Sequence, residues 1–144
     1  MSSFKGPNGR QRLVDELLKQ SILREDKEAA NAIAEKCTIA EYSARSSIFR
    51  EGDASHYMLL ILGGRVSVVA HGHEVAQRVA GQHVGEMALI DPSAPRSASI
   101  VAIEDTMTAS ISEPDFTEIA EHDPKLWRLL ALELTEVIRL QNPK

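Results

Sequence analysis

The hydrophobic pattern at the start of the chain has helical spacing. Within residues 10–20 three leucines recur at that spacing, which predicts an amphipathic helix. A second helix is predicted to open at Glu25 or Asp26 and to bury alanines and an isoleucine between Ala29 and Ala34. Residues 1–9 contain two glycines and a proline. We therefore expect a flexible leader at 1–9, followed by two helices within 10–37.

The middle of the chain has the pattern of short β-strands. Six of the eight glycines fall between Gly52 and Gly85, among β-branched stretches such as 65–69. Turns are predicted at 52–53, 63–64, 71–73 and 104–105. Strands are predicted at 39–43, 47–50, 57–62, 65–70, 74–79, 97–103 and 106–112. Many short strands at close spacing predict a closed or rolled sheet over residues 38–112.

After Ser112 the helical spacing returns. Residues 113–115 are a helix start signal, and Asp123-Pro124 opens a last helix that runs to about Gln141. This last helix carries more apolar side chains than one packed face requires. We predict that a second copy of the chain buries the surplus, as a homodimer through Leu129, Leu132, Val137 or Ile138.

Together these patterns predict one fold class, mainly β with flanking α-helices. The expected architecture is a jelly-roll-like β-barrel with two N-terminal helices and two C-terminal helices, the latter within residues 113–142. Residues 10–144 are predicted to form one domain, because 144 residues suffice for one core but not for two.

Composition and charge exclude several classes of protein. The net charge of −5 is a poor match to a nucleic-acid binder, so no DNA partner is expected. No apolar run is long enough to span a membrane, and the polar start lacks the apolar region of a signal peptide. We expect a cytoplasmic protein without a membrane partner. The single cysteine, Cys37, cannot form an internal disulfide and is interpreted as a packing residue.

The segment from Val84 to Ser99 contains the candidate chemistry. It holds a glycine, an acid, a short apolar stretch that can form one helical turn, and an arginine, Arg96. Backbone N–H groups of the turn and the planar guanidinium can converge on one phosphate. Glu86 would be repelled by that phosphate, so we expect it to accept hydrogen bonds from a neutral group such as a sugar hydroxyl. The segment predicts a site for a sugar phosphate.

Gly85-Glu86-Met87-Ala88-Leu89, followed by Pro95-Arg96-Ser97-Ala98, resembles the phosphate-binding cassette of cyclic-nucleotide-binding domains. Residues 48–53 and 60–66 are similar to early barrel turns of the same family. Bacterial catabolite activator proteins and the regulatory subunits of cyclic-AMP-dependent protein kinase share this plan. The resemblance covers about residues 10–142.

The resemblance implies a role for each matching residue. Glu86 and the Gly85 backbone would hold the ribose 2′-hydroxyl, and Arg96 would hold the cyclic phosphate. Ser97 leaves the base open, because the family uses a hydroxyl there in both cyclic AMP and cyclic GMP domains; cyclic AMP is favoured over cyclic GMP. The other candidate ligand-binding residues are Val84, Met87, Ala88 and Ala98. At the end of the last helix, Gln141 and Asn142 would present polar side chains to the purine, from the same or a neighbouring subunit.

The output of the predicted sensor is a separate matter. The catabolite activator type continues past its long helix into a helix-turn-helix, whereas this sequence stops at Lys144. We therefore expect no DNA-reading element and a downstream protein that the sequence does not identify. No paired carboxylates and no nucleophile beside a base are visible, which predicts a binding module and no enzyme. Beyond the ligand itself, we expect no cofactor and no metal.

Two alternatives remain open on the sequence. A metal-dependent cupin enzyme is also a small β-barrel, and His71, His73, Glu74 and His83 are suitable metal ligands. Against it, His71 and His73 flank a glycine in a predicted turn, and the glutamate that the cupin pattern expects is replaced by Gln77-Arg78. The other alternative is an interaction barrel without a ligand that docks a partner through its last helix.

Overall fold

The computed structural model describes residues 4–141, with side chains described as far as Thr135. Five helices and eight strands lie in this part of the chain. The helices are α1 (Gly9–Leu17), α2 (Lys27–Lys36), α3 (Met87–Ile90), α4 (Glu113–His122) and α5 (Lys125–Gln141). The strands are β1 (Thr38–Tyr42), β2 (Ser47–Phe49), β3 (Tyr57–Gly63), β4 (Arg65–Ala70), β5 (His73–Val79), β6 (His83–Val84), β7 (Ser99–Ala102) and β8 (Thr106–Ser112).

The strands form two antiparallel four-stranded sheets, in the orders β1-β8-β3-β6 and β2-β7-β4-β5. The predicted fold class, mainly β with flanking helices, is confirmed. Successive side chains of β3 point to opposite faces. Met58, Leu60 and Leu62 join the core beneath the helices, while Leu59 and Ile61 join a second core between the sheets. Because both faces of β3 are buried, its sequence is a continuous apolar run and does not alternate.

Several boundaries differ from those predicted. The first helix ends at Leu17 and not at Gln20, and the strand predicted at 97–103 starts at Ser99. Asp26, and not Glu25, begins the second helix, because its carboxylate accepts a hydrogen bond from the Ala29 N–H. The two-residue strand β6 was not predicted, since its pairing with β3 is too short to leave a pattern.

The leader is less separate than predicted. Phe4 packs against the core beneath the helices, and the Gly9 N–H donates to the Gly6 carbonyl at 3.1 Å. Residues 4–9 therefore contact the domain that was predicted to begin at Arg10. Cys37 packs against the same core, in agreement with its interpretation as a packing residue.

The last helix packs through one face on this chain's own core. Leu126 and Leu130 are fully buried, and Leu129, which was predicted to face a second copy, packs partly against the same core. Leu132 remains 59% exposed. The side chains of Val137 and Ile138 lie outside the described residues, so the homodimer stays a prediction. Among the described helices, none combines the length and apolar character of a membrane span.

Candidate functional site

A cavity of about 820 Å³ opens between the β4–β5 side of the barrel and the segment from β6 to β7. This volume is ordinary for a small-molecule pocket. The structure brings eight of the predicted site residues together in its wall: Val84, Gly85, Glu86, Met87, Ala88, Arg96, Ser97 and Ala98. The side chain of Gln141, at the end of α5, and the whole of Asn142 lie outside the described residues.

Arg96 is held firmly in the cavity wall and is only 6% exposed. Its Nε donates to Ser55 Oγ at 2.8 Å, its Nη1 to the Gly85 carbonyl at 3.1 Å and its Nη2 to the Tyr57 carbonyl at 2.5 Å. The guanidinium carbon lies 3.9 Å from the centre of the Phe49 ring. These bonds use three of the five N–H donors of the guanidinium and leave donors for an anion.

The charge of Arg96 persists in this environment. Burial lowers the pKa of the guanidinium, while Tyr57, Asp53 and Glu86 raise it. An arginine side chain remains protonated in proteins over the whole physiological range. The cavity therefore offers a fixed positive charge in partly desolvated surroundings, where a charge-assisted hydrogen bond is strong.

Gly85 makes room for this guanidinium. Its φ is +82°, a conformation that non-glycine residues rarely adopt, and a Cβ atom there would lie 2.8 Å from Arg96 Nη1 and 3.3 Å from Phe49 Cζ. The Gly85 carbonyl also accepts the Ala88 N–H at 3.2 Å, at the start of α3. A glycine at this position thus permits both the turn and the close approach of Arg96.

Replacing Gly85 with alanine is expected to lower both stability and ligand affinity. The left-handed backbone costs a non-glycine residue about 1–2 kcal/mol, and the added methyl displaces the Arg96 guanidinium. Gly72→Ala is the matched control, because Gly72 has a φ of +79° but open space at its Cβ. We expect urea unfolding to show destabilisation in both variants, larger in Gly85→Ala because of the clash with Arg96, and titration to show weakened binding in Gly85→Ala alone. Equal affinities in the two variants would contradict this role of Gly85.

Glu86 lies beside the arginine with its side chain 21% exposed. It precedes α3, yet its carboxylate makes no capping hydrogen bond to that helix. Its Oε1 lies 3.0 Å from His83 Nδ1, and no described residue is hydrogen-bonded to its Oε2. The carboxylate is therefore available to accept a hydrogen bond from a neutral group in the cavity.

Some lining residues were not predicted from the sequence. The ring of Phe49 and the Tyr57 carbonyl contact Arg96, but they belong to strands 47 and 39 residues away in sequence. Arg78 lies on the β5 wall and Leu134 on α5. Their positions depend on packing of distant segments, and no local motif marks them.

The residues of the cupin alternative do not come together. His71 and His73 are exposed at the β4–β5 turn, whereas His83 is buried beside Glu86. The two ring nitrogens of His83 face carboxylates on opposite sides of the ring. Within residues 4–135, no three histidine, cysteine, aspartate or glutamate side chains are grouped so as to hold one metal ion.

Comparison with known proteins agrees with this geometry. The family model described as the cyclic nucleotide-binding domain matches residues 39–123. The Pycsar effector protein XpPycTIR of Xanthomonas perforans is 35% identical over 139 residues, which are 96% of this chain and 46% of that protein. This chain spans about half the length of the first curated relatives it matches.

Solved structures share the fold. The structure of cAMP-bound PfPKA-R has a TM-score of 0.83 at 19% identity, over 92% of this chain and 46% of that one. The catabolite activator protein of Thermus thermophilus has a TM-score of 0.72 at 28% identity, over 86% of this chain and 58% of that one. With the matching family model and the cavity formed by the predicted cassette, these likenesses confirm the resemblance, and the chain belongs to the cyclic nucleotide-binding domain family.

Proposed function

We propose that this chain binds a 3′,5′-cyclic nucleotide and acts as a cytoplasmic sensor module. The observation that carries the proposal is the joint placement of Arg96 and Glu86 in one cavity. The remaining donors of Arg96 pair with the single charge of the cyclic phosphate, and Glu86 accepts a hydrogen bond from the ribose 2′-hydroxyl. The backbone N–H groups of Ser97 and Ala98 supply further donors to the phosphate, whereas the Ala88 N–H already donates to the Gly85 carbonyl.

Cyclic AMP is the first candidate ligand. The sequence resemblance favours it over cyclic GMP, and the PfPKA-R structure with the same fold is described as cAMP bound. The β4–β5 wall offers small apolar side chains for a flat base, among them Val68, Ala70 and Ala76. If the C-terminal end of the last helix covers the base, Gln141 and Asn142 contribute amides that can pair with either purine.

A specific observation supports a second candidate. Arg78 is a half-buried arginine on the same wall, and its Nη1 donates to the Gln77 carbonyl at 2.9 Å. A guanidinium carries only donors, so it pairs best with a base edge that presents a carbonyl oxygen. Guanine, cytosine and uracil have such an oxygen and adenine has none. If Arg78 reads the base, Arg78→Met should weaken a carbonyl-bearing nucleotide more than cyclic AMP.

The bound nucleotide is proposed to be a signal and not a substrate. Among the described side chains that line the cavity, no hydroxyl or thiol is hydrogen-bonded to a histidine or carboxylate base, so the cavity wall contains no activated nucleophile. The first three curated relatives are named Pycsar effector proteins, and this chain covers less than half of each. We propose that ligand occupancy controls an effector activity that the described residues 4–141 do not themselves carry. Association of two chains through α5 is proposed as part of this response.

Titration calorimetry with cyclic AMP, cyclic GMP, cyclic CMP and cyclic UMP tests the proposal. At a hundredfold excess over its Kd, the preferred nucleotide is expected to stabilise the fold by about 2.7 kcal/mol and to raise its melting temperature. The matching 5′-monophosphate is the control, because it carries the same base on an open phosphate. No heat and no thermal shift with any of the four at millimolar concentration would contradict the proposal. A shift with zinc or iron instead would favour the cupin alternative.

A further inference from the structure

His83 lies between the cavity and the last helix. It is the first residue of β6, and its side chain is only 5% exposed. Its Nδ1 is 3.0 Å from Glu86 Oε1, and its Nε2 is 3.0 Å from Glu133 Oε1 on α5. The imidazole thus separates a carboxylate of the cavity wall from a carboxylate on another element.

The two carboxylates keep the ring charged. Burial lowers the pKa of His83, but the hydrogen bond to Glu133 and the negative charges of Glu86 and Glu133 outweigh burial and raise the pKa to about 9. Burial raises the pKa of Glu133, while its bonds to His83 and Ser21 and the charges of His83 and Arg24 lower it overall. Near neutral pH the ring therefore carries a proton on each nitrogen and only donates.

The two contacts of the ring differ in direction. The contact from Nε2 to Glu133 has hydrogen-bond geometry. Nδ1 lies equally close to Glu86, yet among the described residues no acceptor lies along its N–H direction. Glu133 therefore sets the orientation of the ring, and Glu86 is held by attraction to the ring's charge and not by a directed bond.

Glu133 is itself held from a second side. Ser21 Oγ donates to the same Oε1 atom at 2.8 Å. The segment around Ser21 is fastened to the strands, because the Ser21 N–H donates to the Gly81 carbonyl and Gln20 Nε2 donates to the Ile61 carbonyl. Glu133 does not line the cavity, although the next residue of α5, Leu134, does. The position of Glu133 therefore depends on how α5 packs on the barrel.

We propose that His83 is a positioning residue that orients Glu86 for the ribose 2′-hydroxyl, and that Glu133 on α5 holds the His83 ring in this task. The proposal rests on the proposed function. It adds that ribose recognition depends on a helix side chain outside the cavity. Without Glu133, the ring loses the acceptor that orients it, and Glu86 loses a fixed charge beside it.

The test compares the affinity of Glu133→Ala for two ligands. They are the nucleotide that binds the wild type most tightly in the four-base titration, and its 2′-deoxy form. The preference for the 2′-hydroxyl is the ratio of the two affinities, and we expect it to be about tenfold or more in the wild type. In Glu133→Ala this ratio should fall at least threefold, while the affinity for the 2′-deoxy ligand stays within about twofold of its wild-type value. Glu133→Gln keeps an acceptor for Nε2 and should restore part of the preference. Glu121→Gln, an exposed glutamate on α4, is the matched control and should change nothing.

A spectroscopic measurement follows the ring directly. Long-range ¹H–¹⁵N spectra of the nucleotide-free wild type should show a doubly protonated His83 ring at pH 8. In Glu133→Gln the lost charge should move the titration of the ring towards its ordinary value of 6.5. An unchanged titration would show that Glu133 does not hold the ring and would overturn the proposal.

The remaining outcomes are also decisive. Equal losses for both ligands in Glu133→Ala would mean a purely structural role and would overturn the proposal while leaving the proposed function intact. A wild type that binds none of the four nucleotides would overturn both. If Glu133→Ala does not fold, Ser21→Ala removes one hydrogen bond to the same oxygen and should lower the 2′-hydroxyl preference in the same direction.

Discussion

Arg96→Ala is expected to weaken binding of the preferred cyclic nucleotide by roughly thirtyfold to a few thousandfold. The substitution leaves the phosphate charge without its partner in a partly desolvated cavity, and such truncations cost about 2–5 kcal/mol. Arg96→Lys should recover little, because an ammonium reproduces neither the planar fork nor the stacking on Phe49. Titration calorimetry with each variant measures the loss.

Arg96 also has a structural role, so its variant needs a control for folding. The guanidinium links Ser55, Tyr57 and Gly85 through hydrogen bonds, and its removal should lower the melting temperature as well. Arg65→Ala removes an exposed arginine on β4 that does not line the cavity, and it should keep wild-type affinity. Binding by a folded Arg96→Ala within threefold of the wild type would place the phosphate elsewhere.

Glu86→Ala is expected to abolish recognition of the ribose 2′-hydroxyl. A hydrogen bond to a charged group contributes about 1.5–3 kcal/mol, so the variant should lose roughly tenfold to a hundredfold in affinity. Removal of the 2′-hydroxyl from the ligand should cost the wild type a similar factor and cost Glu86→Ala almost nothing. A double-mutant cycle on the two proteins and two ligands isolates this interaction.

The cycle distinguishes recognition from local structure. Glu104→Ala, an exposed glutamate in the β7–β8 turn, is the matched control and should retain the full 2′-hydroxyl preference. Equal losses from the deoxy ligand in the wild type and in Glu86→Ala would show that Glu86 serves the fold. The structure argues against one such role, because its carboxylate does not cap α3.

The features that the sequence predicted are those with a local physical cause. β-Branched stretches, glycine turns and helix start signals act over a few neighbouring residues, which is why seven of the eight strands were predicted within a few residues. The cassette was found for the same reason. Gly85, Glu86 and Arg96 lie within twelve positions, so a local motif can mark them.

The features that only the tertiary structure decided depend on contacts between distant segments. Arg96 is fastened by Ser55 and Tyr57 from 41 and 39 residues away, and no local pattern signals those bonds. His83 suited a metal site in the sequence, but packing of α5, 50 residues later, places it between two carboxylates and sets its charge. The sequence by itself thus determined the chemistry of the cassette. Folding decided which neighbours orient that chemistry, because burial and charge depend on what packs around a group and not on its place in the chain.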